Sequence, residues 1–489
     1  MKGFERAKDV LDDANEFLYK KKKYIIAVFL ISSVVFFSLE FNFLTNWDMI
    51  VRILNANYLF HGGQYFENQR ALLESFLIGV LSFAFGSYAV YAFIAVATSI
   101  FFVAVYFFAE SFGVDNAVLL GFIFNPFFLF YAIKNGSELP MYAFILLFIS
   151  MIKVKKPHYA GIFFALAFVS KYDSLFFLPL LLFLIDGNRI KSLKRIGIAV
   201  AFILLALIPY FAYNLILYHN IIFTFASSLY QNSGASYGNV YTYSAIVELA
   251  VLIPIAIAIL LYNKKAQNLF RRKKLDITIL SAAAGLALAV YILASPLYAT
   301  GIGFFRFFLM VTLFATLILS LFFNKKMLLA GTLFFLISMV IAYTAVYSQP
   351  FNSGILSVQA SSAKSLLYSA YSTTNCTVQS NNWVYLDYYG ISATYPRGGN
   401  YSQYPIVNFG PIQNSNYSLR GNESGIYLYT YGLSQNSCRF TPVIALKNGV
   451  NQDIASSRAN PEEACIMLYS RIPSTIIRNA CTAITKILN

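Results

Sequence analysis

Hydrophobic residues in this chain come in long blocks, with the polar residues gathered between them. Apolar runs of this length, with no polar face, predict helices enclosed by apolar material on every side, and ~20 residues suffice to cross a bilayer. The blocks predict crossings at 24–44, 87–108, 116–134, 139–152, 158–171, 174–186, 196–218, 242–262, 276–295, 305–323 and 327–347, eleven in all. One further run, 71–85, holds Glu74 and is short for a span at about 15 residues.

Charge decides how that run is read. Basic residues cluster at Lys20 to Lys23, Lys153-Lys155-Lys156, Arg189 to Arg195, Arg271 to Lys274 and Lys325-Lys326. If 71–85 crossed the membrane, two of these blocks would face outward, against the cytoplasmic bias of Lys and Arg. As an amphipathic segment on the outer surface it leaves every block inside. The short outer loops then hold only Arg52, Arg70, Lys134, Lys171 and Arg306. The N-terminus is expected in the cytoplasm and the C-terminus outside, in the plasma membrane or, in a eukaryotic cell, the endoplasmic reticulum. The first span is too long for a signal-peptide core and no cleavage site follows it. The short spans 139–152 and 174–186 imply a recessed cavity at the outer face.

Composition agrees: 58% of residues are hydrophobic and 12% charged, against about 25% charged in soluble domains. The net charge of +15 lies in the inter-span blocks and forms no basic stripe with interleaved aromatics, which excludes nucleic acid as a partner. The lipid bilayer is the first partner.

The tail 348–489 is rich in Ser, Asn, Tyr and Gly. Ala360 to Tyr371 reads as helix, Trp383 to Tyr389 alternates like a strand, and Ile426 to Tyr431 and Phe440 to Leu446 are further strands. Pro461 to Ile472, capped by Asn460, and Thr475 to Leu488 read as helices. Cys376, Cys438, Cys465 and Cys481 all lie in this tail, which points to disulfides outside the cytosol with three connectivities open, or to buried thiols. Sequons at Asn375, Asn400, Asn416 and Asn422 also fall there, on the side expected to be glycosylated. The fold class is thus a polytopic α-helical membrane protein with a C-terminal extracytoplasmic α/β domain. Its parts are a cytoplasmic segment 1–23, a transmembrane domain 24–347 whose first outer loop is 45–86, and the soluble domain 348–489.

This topology gathers the polar residues at membrane depth on one face. Asp48 follows the first span in Thr45-Asn46-Trp47-Asp48, and Glu67, Arg70 and Glu74 share its loop. Glu138 lies where the third span emerges, Lys171 and Asp173 at the next outer turn, His219 after the seventh span and Arg306 at the start of the tenth. Acids with a few bases on the outer face describe a site that holds an anion and moves a proton. The bland alternatives are a solvated Glu74, an Asp173 that neutralises Lys171, a snorkelling Arg306 and an interfacial His219. With His61, His158 and His219 on different sides, no zinc site is expected, although Asp48 and Glu138 could share a divalent cation such as Mg or Mn through oxygen ligands. No Ser-His-Asp signature, P-loop or dinucleotide fingerprint occurs.

The order of these features resembles the GT-C superfamily of polytopic glycosyltransferases that use polyprenyl-phosphate sugars. An Asp closes the first span, an amphipathic stretch runs Met49 to Phe60, Gly63-Gln64-Tyr65-Phe66-Glu67 follows, and then the half-embedded 71–85. This looks like the first outer loop of the aminoarabinose and protein O-mannosyl transferases. Glu67 matches the acid of the Tyr-Phe-Glu-Lys-Pro element, where this chain has Asn68-Gln69 in place of Lys-Pro. Glu138 falls at the second-loop carboxylate, Ser170-Lys171-Tyr172-Asp173 resembles the Thr-Arg or Thr-Lys turn, and Arg306-Phe307-Phe308 the later Arg-Tyr element. The resemblance implies transfer of a hexose, such as mannose, from a dolichyl or other polyprenyl phosphate to a glycan, lipid or protein acceptor, with inversion. It implies Asp48 as general base, Glu138 beside the acceptor, and Glu67, Arg70, Lys171, His219 and Arg306 around the donor. A lipid or sugar transporter is the alternative, and would favour charges deep within spans and discontinuous helices.

Overall fold

A computed structural model describes residues 2–39, 46–63, 66–134, 136–185, 188–225, 228, 273–294, 301–347, 353–394, 404–412, 417–431 and 438. The expected span 242–262, the strand 440–446 and the helices 461–472 and 475–488 lie outside them.

Two helices open the chain: α1 (Lys2–Lys20) and, after the turn at Lys21, α2 (Lys22–Leu39). The first outer loop forms α3 (Trp47–His61) and α4 (Leu73–Phe85). A single 3-10 turn, Gly86–Tyr88, leads into α5 (Ala89–Phe112). Together α4 and α5 form one apolar run of 40 residues, about twice the length that crosses a bilayer. Gly86, at φ +54° and ψ −127°, breaks that run where only glycine adopts such a backbone easily.

The segment 116–134 is not one straight helix. It is α6 (Asn116–Ile123) and α7 (Pro126–Ile133), bent by 56°. Pro126 cannot continue α6, and Asn125 accepts from Phe128 N at 2.8 Å to start α7 afresh. The segment 196–218 likewise splits into α10 (Arg189–Ala206) and α11 (Ile208–Tyr218), bent by 45° at Pro209. Between them lie α8 (Glu138–Lys153), α9 (Pro157–Ser170) and a 3-10 helix, Tyr172–Leu184, in the place of the predicted span 174–186. The later helices are α12 (Lys274–Ala294), α13 (Gly301–Ser320) and α14 (Leu328–Tyr347). Among the described residues three helical stretches, Lys22–Leu39, Leu73–Phe112 and Lys325–Thr344, are long and apolar enough to cross a membrane, or five if each bent pair is one span.

The bundle core is largely aromatic and aliphatic, with Phe93, Phe101, Phe108, Phe124, Phe130 and Phe148 fully buried. Small residues permit the closest approaches: a Cβ on Gly121 of α6 would lie 2.7 Å from the Gly331 backbone of α14. The basic segments converge at one end. Lys153 at the end of α8 pairs with Asp276 on α12, Lys273 donates to Phe112 O at 2.9 Å, and Lys155 donates to Phe183 O at 3.1 Å.

Among its described residues the tail carries α15 (Ser353–Tyr371), α16 (Trp383–Tyr388) and five strands: β1 (Val378–Gln379), β2 (Ala393–Thr394), β3 (Ile406–Phe409), β4 (Tyr417–Glu423) and β5 (Ile426–Tyr431). The sheet order is β2-β1-β3-β5-β4, parallel from β2 to β3 and antiparallel from there to β4. Ser424 and Gly425, both with positive φ, close the β4–β5 hairpin in two residues. Leu367, Val378, Leu386, Ile391, Val407 and Leu428 form the core beneath α15. Cys376 is disulfide-bonded to Cys438, one of the pairings the sequence left open, while Cys465 and Cys481 lie outside the described residues. Asn375 and Asn422 are exposed, and Asn400 and Asn416 are not described.

The strand expected at 383–389 is instead the helix α16. Residues two apart on a helix point to nearly opposite sides. Val384 packs on Ile50, Val51 and Leu54 of α3, and Leu386 packs into the tail core. A helix held between two apolar surfaces produces the same alternation as a half-buried strand.

Candidate functional site

Asp48 sits in the first turn of α3, which starts because Asn46 accepts from Asp48 N at 3.0 Å. A carboxylate at a helix N-terminus is stabilised in its charged form by the backbone dipoles. Arg70 reaches it across the loop, with its guanidinium 2.6 Å from Asp48 and 3.1 Å from Glu67.

Asn55, fully buried on α3, fixes that loop. Its amide nitrogen donates to Glu67 O at 3.0 Å, and its amide oxygen accepts from Glu67 N at 2.8 Å. Gln69, which stands where the resembled element has Pro, donates to the Glu67 carboxylate at 2.9 Å. Phe66 packs against Tyr58, with ring centroids 4.7 Å apart.

The second cluster joins α8 and α9. Glu138, fully buried at the first position of α8, accepts from Lys171 at 3.0 Å and from Ser137 Oγ at 3.3 Å. Lys171 caps the C-terminus of α9 and also meets Asp173 at 3.1 Å. Each cluster therefore surrounds one cation with two carboxylates.

A buried pair lies between them. Arg52, one turn beyond Asp48 on α3, donates to Ala71 O and pairs with Glu74 at 3.1 Å. The turn that precedes Glu138 touches the same stretch of α3, since a Cβ on Gly136 would meet Arg52 Cγ and Met49 Sδ at 3.5 Å. Glu138 is also among the groups acting electrostatically on Glu74. Glu74, for which solvation was the bland alternative, is fully buried and paired.

The tail closes over Asp48. Trp383 and Tyr385 of α16 meet Trp47 edge-on at 4.6 and 5.6 Å. Burial, with the Asp48 charge adding to it, pushes the Tyr385 hydroxyl up to about 12, so it stays neutral at physiological pH.

The structure thus unites Asp48 with Glu67 and Arg70, and Glu138 with Lys171 and Asp173, through Arg52 and Glu74. His219 does not join them: it is an exposed left-handed cap at the end of α11, with no contact to either cluster among the described residues. Arg306 lies within α13, and its side chain is outside the described part, as is Tyr65. No three His, Cys, Asp or Glu side chains come together as metal ligands among the described residues. Asp48 pairs with Arg70, and Glu138 with Lys171. Sequence reasoning missed Asn55 and Tyr385. Asn55 had a signal, an amide that follows the apolar run Ile53-Leu54 within the helical stretch, whereas Tyr385 lies far along the chain in a segment read as strand.

No family model, curated protein or solved structure matches the chain.

Proposed function

We propose that this chain is a membrane glycosyltransferase that transfers a hexose from a polyprenyl or dolichyl phosphate to an acceptor outside the cytoplasm, with inversion and with Asp48 as general base. The observation that carries this reading is the Asp48–Arg70–Glu67 cluster at the N-terminus of α3, joined through the Arg52–Glu74 pair to Glu138–Lys171. A sugar on a lipid phosphate already has a good leaving group, so the protein must deprotonate an acceptor hydroxyl and hold the departing phosphate. Arg70 and Lys171 are suited to the phosphate, and both are at rest paired with carboxylates. A phosphate that takes up the Arg70 guanidinium competes with Asp48 for it. Asp48 then loses its counter-charge and becomes the stronger base at the moment the donor is bound. Tyr385 and Trp383, beside Asp48, are placed to orient the acceptor.

This reading carries the eleven-crossing topology, with the clusters outside and the basic segments in the cytoplasm. The convergence of Lys153, Lys155 and Lys273 at one end of the bundle supports it. Glu138 stands at the start of α8 and Lys153 at its other end. The test is transfer of label from a radiolabelled polyprenyl-phosphate hexose in membranes carrying the protein.

One observation favours a transporter as the second reading. Two helix pairs are broken, by 56° and 45°, and transporters build sites at such breaks. Counterflow of unmodified lipid-linked sugar in proteoliposomes, without transfer, would select it.

A further inference from the structure

The N-terminal helix α1 has three distinct sides. At ~100° per residue, Asp12, Asn15 and Tyr19 share one side, and this side docks on the bundle. Asn15 accepts from Leu329 N at 2.9 Å, Asp12 pairs with Lys326 at 3.2 Å, and the Tyr19 ring lies between Lys325 and Lys22 at 4.5 and 4.6 Å. Asp9, Asp13 and Glu16 form the second side, which is exposed. Val10, Ala14 and Phe17 form the third, with Val10 63% and Phe17 64% exposed. Large apolar side chains aligned on a helix beside an acidic face mark a surface that something covers.

Two features on the page identify the cover. The apolar side leads into the exposed apolar residues of α2, Tyr24, Val28 and Ile31, the outward surface of a helix apolar enough to span a bilayer. At the junction stand Lys20 to Lys23, with Lys325 nearby against Tyr19. We infer that α1 lies in the headgroup–acyl boundary of the leaflet at the basic end. There it buries Val10, Ala14 and Phe17 in lipid, keeps its acidic side in water, and sets the lysines among anionic headgroups. The occupant is the bilayer, and the inference does not depend on the catalytic reading.

The test uses the full chain in nanodiscs of phosphatidylcholine with or without phosphatidylglycerol. An environment-sensitive fluorophore is placed at Val10→Cys, Phe17→Cys or Glu16→Cys, and unsubstituted protein labelled in parallel supplies the background from the native cysteines. The expected result is blue-shifted emission at positions 10 and 17, quenched by nitroxide-labelled lipid and more strongly with phosphatidylglycerol, while position 16 remains aqueous and unquenched. Emission at 10 and 17 as aqueous as at 16 overturns the inference. So does a blue shift at 10 and 17 that lipid nitroxides do not quench, since a second copy or another protein surface would then be the cover.

Discussion

The Arg70 guanidinium lies 2.6 Å from the Asp48 carboxylate and 3.1 Å from that of Glu67, so one cation holds two acids on either side of a loop. Replacing Arg70 by Gln leaves those acids without their shared partner. The expected outcome is a large loss of transfer, with the apparent affinity for the lipid-phosphate donor falling along with the maximal rate. Unchanged donor dependence in initial-rate measurements would remove Arg70 from the phosphate site.

Asn55 tests whether the loop must be anchored for the site to form. Asn55→Ala orphans Glu67 N and O, at about 1–3 kcal/mol for each buried group left unpaired. Thermal unfolding in detergent should show the destabilisation, and transfer should fall while donor and acceptor contacts remain in the sequence. An Asn55→Ala protein with wild-type stability would contradict the anchoring role.

Arg52 and Glu74 form a pair that is nearly inaccessible to solvent. Removing Arg52 leaves the fully buried Glu74 carboxyl without its partner, which costs about 1–3 kcal/mol as an unpaired buried polar group once the carboxyl takes up a proton. Arg52→Gln is expected to lower the unfolding midpoint far more than Lys20→Gln, whose pair with Glu16 is exposed.

Tyr385 is held neutral by burial and by Asp48, its hydroxyl pushed up to about 12. Below the ordinary tyrosine range both folded and unfolded states keep that proton, so Tyr385 adds no pH dependence there. Above that range the unfolded state ionises first, and the folded state loses stability until pH passes about 12. Tyr385→Phe should therefore leave the pH–rate profile unshifted near neutrality while raising KM for the acceptor. A shifted profile near neutrality would make the hydroxyl a proton carrier instead.

The Cys376–Cys438 disulfide closes a separation of 62 residues, which in the chain-entropy picture corresponds to about 4 kcal/mol. Reduction, or Cys438→Ser, is expected to open the tail to proteolysis while the bundle stays intact. Equal protease resistance with and without reductant would contradict this.

The apolar blocks made most of the described helices legible in the sequence, because a long uniform apolar run marks a helix enclosed by apolar material. Breaks were harder: Pro126 and Pro209 lie in runs whose composition is uniform, and only capping by Asn125 reveals the restart of α7. Pairings within a few residues, such as Lys171 with Asp173, could be read directly. Those that close over long separations could not, as with Arg52–Glu74, Asn55–Glu67 and the seating of α16 on α3. The alternation at 383–389 misled because two apolar surfaces on opposite sides of a helix leave the period of a strand. The docking of α1 on Lys325 and Lys326 was likewise invisible, since it depends on a neighbour some three hundred residues away.

The role of Asp48 is decided by one comparison. Wild-type and Asp48→Asn proteins, matched for membrane insertion and for the Cys376–Cys438 disulfide, are given radiolabelled polyprenyl-phosphate hexose and the products are followed over time. The expected result is transfer by the wild type and a loss of at least about 100-fold in the variant, the scale set by general-base catalysis, with donor binding retained. Near-normal transfer by Asp48→Asn would contradict the assignment of Asp48 as the base.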